Sequence, residues 1–136
     1  MNKQIVHDPL FLAVKSEPAT EADKQVIVDL LDTLRANLDR CVGMAANMIS
    51  VRKRIIVFCN GPMQMIMVNP QITSRTGAFE TEEGCLSLAG VRKAKRYQKI
   101  TVKYQDQTFK QRTGSFEGFT AQIIQHEIDH CDGILI

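Results

Sequence analysis

The chain has no tryptophan, only 4 prolines, and no Cys-x-x-Cys pair among its 4 cysteines. Without paired spacing, free thiols with one metal or catalytic role fit better than a disulfide framework. No apolar run approaches the ~20 residues needed to cross a bilayer as a helix. His7, Asp8 and Pro9 interrupt the apolar part of Met1 to Val14, which spoils a signal-peptide reading. An excess of one charge is also missing. The chain carries 17 Lys+Arg against 15 Asp+Glu, a net charge of +2, too small to argue for a nucleic-acid partner. These absences predict a cytoplasmic protein with reduced thiols, no DNA partner and no membrane partner. What is present is ordinary: 136 residues, 44% hydrophobic and 24% charged. That suits a single domain over residues 1–136.

Residues 1–19 read as an extended arm. Thr20 and Asp23 make a near capping box, and Val26, Ile27, Leu30, Leu31, Leu34 and Leu38 recur at helical spacing, so a helix is expected over about 21–39. Arg54 to Cys59 and Met65 to Val68 read as strands around an Asn60-Gly61-Pro62 turn, with Pro70 ending the second. Ile72 to Phe79 is a further strand candidate, and Glu82 to Gly90 a loop or strand edge. Ile100 to Tyr104 alternates as a strand should. Gly118 to Cys131 reads as a second helix stopped by Gly133. Strands and two helices without regular β-α-β alternation argue for an α+β fold.

The sharpest chemical signal is His126-Glu127-Ile128-Asp129-His130, an H-E-x-x-H pentapeptide. On a helix, residues i and i+4 share a face, so both imidazoles can reach one ion. Glu127 lies where it can handle a proton on a metal-activated water. The chain has only 3 histidines, and two fall in this pattern within an otherwise apolar helix. That favours a metal site over a chance spelling on a solvated face. A third ligand is required. The longer H-E-x-x-H-x-x-G-x-x-H pattern holds through Gly133 and fails at Ile136. Cys131 points about 100° away from His130 on the helix. His7, Cys41, Cys59, Cys85 and assorted carboxylates stay open.

Three segments, in order, resemble motifs of the peptide deformylase family. Cys41 to Met48 (C-V-G-M-A-A-N-M) is similar to a G-x-G-x-A-A-x-Q segment. Glu83 to Ser87 (E-G-C-L-S) and Gln125 to His130 (Q-H-E-I-D-H) match their motifs intact. The resemblance extends from His7-Asp8-Pro9 through Gly133-Ile134-Leu135. It implies an α+β fold with antiparallel or mixed sheets around a central helix carrying H-E-x-x-H. It further implies a hydrolase that removes the N-formyl group from the N-terminal methionine of newly made polypeptides. Cys85, His126 and His130 would be the metal ligands, and Glu127 the base and then acid. The Leu86 N–H would bind the oxyanion, and Gln125 would support the metal site. The metal implied is one divalent ion, Fe²⁺ in the cell, with Zn²⁺, Ni²⁺ or Co²⁺ as alternatives; thiolate plus imidazole suits all four. The partners implied are N-formyl-methionyl nascent peptides.

The same resemblance places the methionine side chain in a pocket of Val42, Gly43, Met44, Glu83, Phe119, Gln122, Ile123 and His126. Two positions depart from the first motif. Cys41 replaces a glycine, and Met48 stands where a glutamine would donate to the formyl oxygen. A thioether cannot donate. Met48 therefore leaves a weakened, metal-binding relative, or an amidase for another N-acyl group, as alternatives. Arg92, Lys93, Lys95, Arg96 and Lys99 crowd one stretch. A solvated face is the commoner explanation; transient contact with nascent peptide or the ribosome is the functional one.

Overall fold

The computed structural model describes residues 1–136. Its centre is one antiparallel sheet in the order β1-β2-β3-β4-β5. The strands are β1 (Gly43–Ala45), β2 (Ile55–Asn60), β3 (Met63–Gly84), β4 (Val91–Gln105) and β5 (Gln111–Glu117). Three helices, α1 (Pro9–Leu12), α2 (Lys24–Ala36) and α3 (Gly118–Cys131), complete the chain.

The run Ile55-Ile56-Val57-Phe58 is apolar without alternation because both faces of β2 are covered. Ile55 and Val57 join a cluster with Leu30 and Leu34 of α2. Ile56 and Phe58 join a second cluster with Ile124 and Ile128 of α3. Neighbouring strands obey the same parity: Met44 and Val68 face α2, whereas Ala45 and Met67 face α3. Burying each such large side chain contributes roughly 1.5–3 kcal/mol against the entropy of ordering it.

The expected helix at 21–39 is shorter and composite. Thr20 and Asp23 do form a capping box, but it opens a 3-10 turn at Glu21–Asp23 before α2 begins. The helix ends at Ala36, and Leu38 is exposed. The expected arm contains the one-turn α1, capped by Asp8 accepting from the Leu10 N–H at 3.0 Å.

Pro70 does not end a strand. It lies inside β3, where the ladder to β4 is irregular between Val68 and Gln71. A bulge needs no N–H from that position, so proline is tolerated there. Asn69, at φ 52°, holds the bulge by donating to the Gln105 side chain at 2.9 Å and to the Ala19 carbonyl at 3.0 Å. The two separate strand readings at 65–68 and 72–79 are thus one long strand. The strand seen at Ile100 to Tyr104 is the second half of β4, and β5 carries too little apolar alternation to be read from sequence. Helix α3 matches its expected bounds. Gly133 at φ 74° closes it, with the Ile134 N–H donating back to the Asp129 carbonyl at 3.0 Å, a left-handed stop that glycine accepts cheaply.

Candidate metal centre and active site

Helix α3 supplies two faces of one site. His126 and His130, one turn apart, both point toward the tip of the β3–β4 hairpin, where Cys85 follows Gly84. Cys85 Sγ lies 3.3 Å from His130 Nε2, and the two Nε2 atoms are 3.2 Å apart. All three donor atoms fall within 4.8 Å of one another. Metal bonds of ~2.0–2.3 Å in a tetrahedron imply donor separations of about 3.3–3.6 Å. The cluster fits a metal ion by donor chemistry and by spacing. The other candidates do not join it. His7 contacts the Ser87 carbonyl at 2.9 Å through Nδ1. Burial pushes the Cys41 thiol up to about 11 and the Cys131 thiol up to about 12, so both stay protonated.

The surroundings act on the candidate ligands. Burial lowers the His130 pKa to about 3, helped by the charges of His126 and Arg96, so its ring is neutral. His126 Nδ1 sits 2.8 Å from Glu83 Oε1; with Nδ1–H donating there, Nε2 keeps a lone pair for an ion. Burial disfavours the charged Glu83, but hydrogen bonds from His126, Arg96 and Gln122 outweigh it and lower its pKa to about 2. Arg96 grips Glu83 through Nη2 at 2.7 Å and Nε at 3.0 Å, and reaches Asp129 through Nη1 at 2.7 Å. Glu127 is buried, and its Oε1 has no protein partner. That burial raises its pKa to about 7, where a carboxylate can both accept and return a proton.

Beside the cluster opens a cavity of ≈ 750 Å³. Val42, Gly43, Glu83, Cys85, Leu86, Phe119, Gln122, Ile123, His126 and Glu127 line it. Met44 and Met48 do not; both lie in the core beneath α2. Met48 is 1% exposed, and its sulfur accepts weakly from the Ala45 N–H at 3.5 Å. Asn47 does not replace it, since its Nδ2 donates to the His130 carbonyl at 3.0 Å.

Two roles differ from those the sequence implied. Gln125 does not hydrogen-bond to the candidate metal ligands. Its amide clips α3 to β4 through the Tyr97 N–H and carbonyl, each at 2.9 Å. Glu83 is instead the residue bonded to a candidate ligand, His126. The basic neighbours of Arg96 predict a solvated face, yet Arg96 is 4% exposed. Strand parity could have found it: Ile100 and Val102 face α3, and Arg96, an even number of residues upstream, shares that face. Asp129 carried no separate signal beyond its place in the motif.

A helix-borne pair of imidazoles, an upstream cysteine sulfur and a buried carboxylate with a free oxygen, opening on a peptide-sized cleft, define a metal-dependent hydrolase. The comparisons with known proteins narrow this class. The family model for polypeptide deformylase matches residues 3–136. A peptide deformylase of Clostridium beijerinckii is 58% identical over 136 residues, covering 100% of both chains. Peptide deformylase 2 of Clostridium acetobutylicum is 38% identical, covering 91% of this chain and 85% of its own. The crystal structure of peptide deformylase from Thermotoga maritima superposes with TM-score 0.89 at 30% identity, covering 99% of this chain and 95% of that one. The chain belongs to the polypeptide deformylase family. Its function is that family's reaction, the metal-dependent removal of the N-formyl group from nascent polypeptides. No helix is long and apolar enough to cross a membrane.

Proposed function

We propose that Cys85, His126 and His130 hold one divalent ion and that Glu127 moves the proton during deformylation. Bound there, the ion would lower the pKa of a water and polarise the formyl carbonyl. Glu127 takes a proton from the attacking water as oxygen adds to the formyl carbon. It then returns that proton to the methionine nitrogen as the C–N bond breaks, giving formate and a free amine. The Leu86 N–H, which donates to no backbone acceptor, stabilises the oxyanion. Glu83, held by Arg96, keeps His126 in the tautomer that leaves Nε2 free.

Val42, Gly43, Phe119, Gln122 and Ile123 receive the methionyl residue, with its backbone along the open edge of β1. Met44 and Met48 support this wall from the core side. The donor set suits Fe²⁺ as the cellular ion, and accommodates Zn²⁺, Ni²⁺ or Co²⁺. The protein acts in the cytoplasm, with Arg92, Lys93, Lys95 and Lys99 on β4 available for transient ribosome contact.

The observation that carries this reading is the convergence of one sulfur and two Nε2 atoms beside the partnerless Glu127 Oε1. The test is Glu127→Ala in protein purified anaerobically, with metal content measured alongside turnover of formyl-Met and acetyl-Met peptides. The variant should keep its metal and lose ~10²–10⁴ of the formyl-specific kcat. Loss of the metal would make Glu127 a ligand and overturn its role. Equal wild-type turnover of acetyl peptides would favour a broader amidase.

A further inference from the structure

The cavity lining also includes Arg40, which directly precedes Cys41, Val42 and Gly43 in the chain. Its guanidinium makes no ion pair with the protein; Nη2 is bonded at 2.5 Å to the Asn37 side-chain oxygen. Asn37 is itself fixed: it is 6% exposed, and its Nδ2 donates to the Thr33 carbonyl at 2.7 Å. The cation is therefore held in place at little further entropic cost, with most of its donors still free. Glu82 also lines the cavity, but Lys93 stands directly across the ladder from it and offsets its charge.

The path of a substrate follows from the sheet. β1 is an edge strand, and an extended peptide can add to its free side. With the formyl group at Glu127, the methionine lies beside Gly43, where an added Cβ would come within 2.9 Å of Glu127 Oε2. The chain then runs antiparallel to β1, past Val42 and Cys41 toward Arg40. At ~3.3 Å per residue, the third residue arrives within reach of the guanidinium.

We propose that Arg40 is a specificity-determining residue that favours formyl-Met substrates carrying Asp or Glu at the third position over those carrying Lys or Arg. The proposal rests on the deformylase reading and on its orientation of the peptide. Arg40 acts by binding, so the preference appears in KM more than in kcat.

The test uses the full-length, metal-loaded enzyme and three C-terminally amidated peptides, formyl-Met-Ala-Asp, formyl-Met-Ala-Ala and formyl-Met-Ala-Lys. The wild type should favour Asp over Lys by about fivefold in kcat/KM at low salt, a ratio in keeping with partly exposed ion pairs. The ratio should shrink toward one at ~1 M salt, where the Debye length is about 3 Å. Arg40→Gln should abolish the ratio and Arg40→Glu should invert it, an inversion that general loss of stability cannot produce. A wild-type ratio near one, or a ratio that survives in Arg40→Gln, would overturn the proposal. Failure of the wild type to hydrolyse even the Ala peptide would instead overturn the substrate reading, and the specificity proposal with it.

Discussion

Gly43 offers the most direct test of how the active site is packed. A Cβ built there would lie 2.7 Å from Ile123 Cγ2 and 2.9 Å from Glu127 Oε2. Carbon contacts are comfortable at ~3.5–4.0 Å, so Gly43→Ala demands a retreat of roughly half an ångström or more by both neighbours. The backbone of Gly43 cannot yield easily, because β1 is laddered to β2 with Gly43 opposite Phe58. Its φ is not in the left-handed region, so the requirement is for space and not for backbone freedom. The displaced groups are then the proposed catalytic carboxylate and a wall of the proposed methionine pocket. Misplacement of about 1 Å can cost ~10²-fold, and kcat for a formyl-Met peptide should fall by that order in Gly43→Ala. Overpacking should add a stability loss of ~1–3 kcal/mol, read as a lower denaturant midpoint. Metal content should stay at the wild-type level, since neither clash involves a ligand. A folded Gly43→Ala enzyme with kcat close to wild type would refute the reasoning. So would loss of the ion with turnover restored by excess metal, because the damage would then lie at the ligands.

Two further outcomes follow from side chains around the site. Met48→Gln should raise kcat by ~10-fold or more, because the amide oxygen can take over the Ala45 N–H from sulfur and leave an N–H to donate to the oxyanion; unchanged kcat in a well-folded variant would mean that the buried side chain never reaches the substrate. Glu83 bears on pH. Its folded-state pKa of about 2 lies below the ordinary carboxylate value of 4.5, so its contribution is complete above about pH 4.5 and fades as the pH falls toward 2. In the metal-free protein, the stability gap between wild type and Glu83→Gln should therefore be wide at neutral pH and narrow on acidification; a gap that widens in acid would refute the assigned partners.

The legible parts of the molecule were those where one local pattern had one physical outcome. H-E-x-x-H can bring two imidazoles together only on a helix, and α3 is a helix over the expected residues. The proposed third ligand was not legible by periodicity. Cys85 reaches His130 through a long hairpin and a fold-level contact, and nothing near residue 85 encodes that distance. The resemblance to a known family offered the candidate instead. Pro70 misled for a local reason: proline is a strand breaker unless a bulge absorbs it, and that bulge depends on Asn69 contacting Ala19 and Gln105, far away in sequence. Arg96 misled for the reverse reason. Basic neighbours suggested solvent, whereas its carboxylate partners come from β3 and α3.

Arg96 also explains why the site and the core cannot be separated. A buried guanidinium is costly unless its charge is matched and its donors are used. Here Glu83 and Asp129 match it from two elements, and Glu83 in turn orients His126. Remove either carboxylate and a buried charge is left without its full complement of partners; remove Arg96 and two carboxylates lose their counterion beside Glu127. The sheet, the hairpin tip and α3 are thus tied together by the same ion pairs that hold His126. Conformational freedom at the hairpin tip would then loosen the Cys85–His130 spacing and the grip on His126 at once, and the ladder of β3 and β4, which extends to Gly84 and Val91, restrains it right up to Cys85.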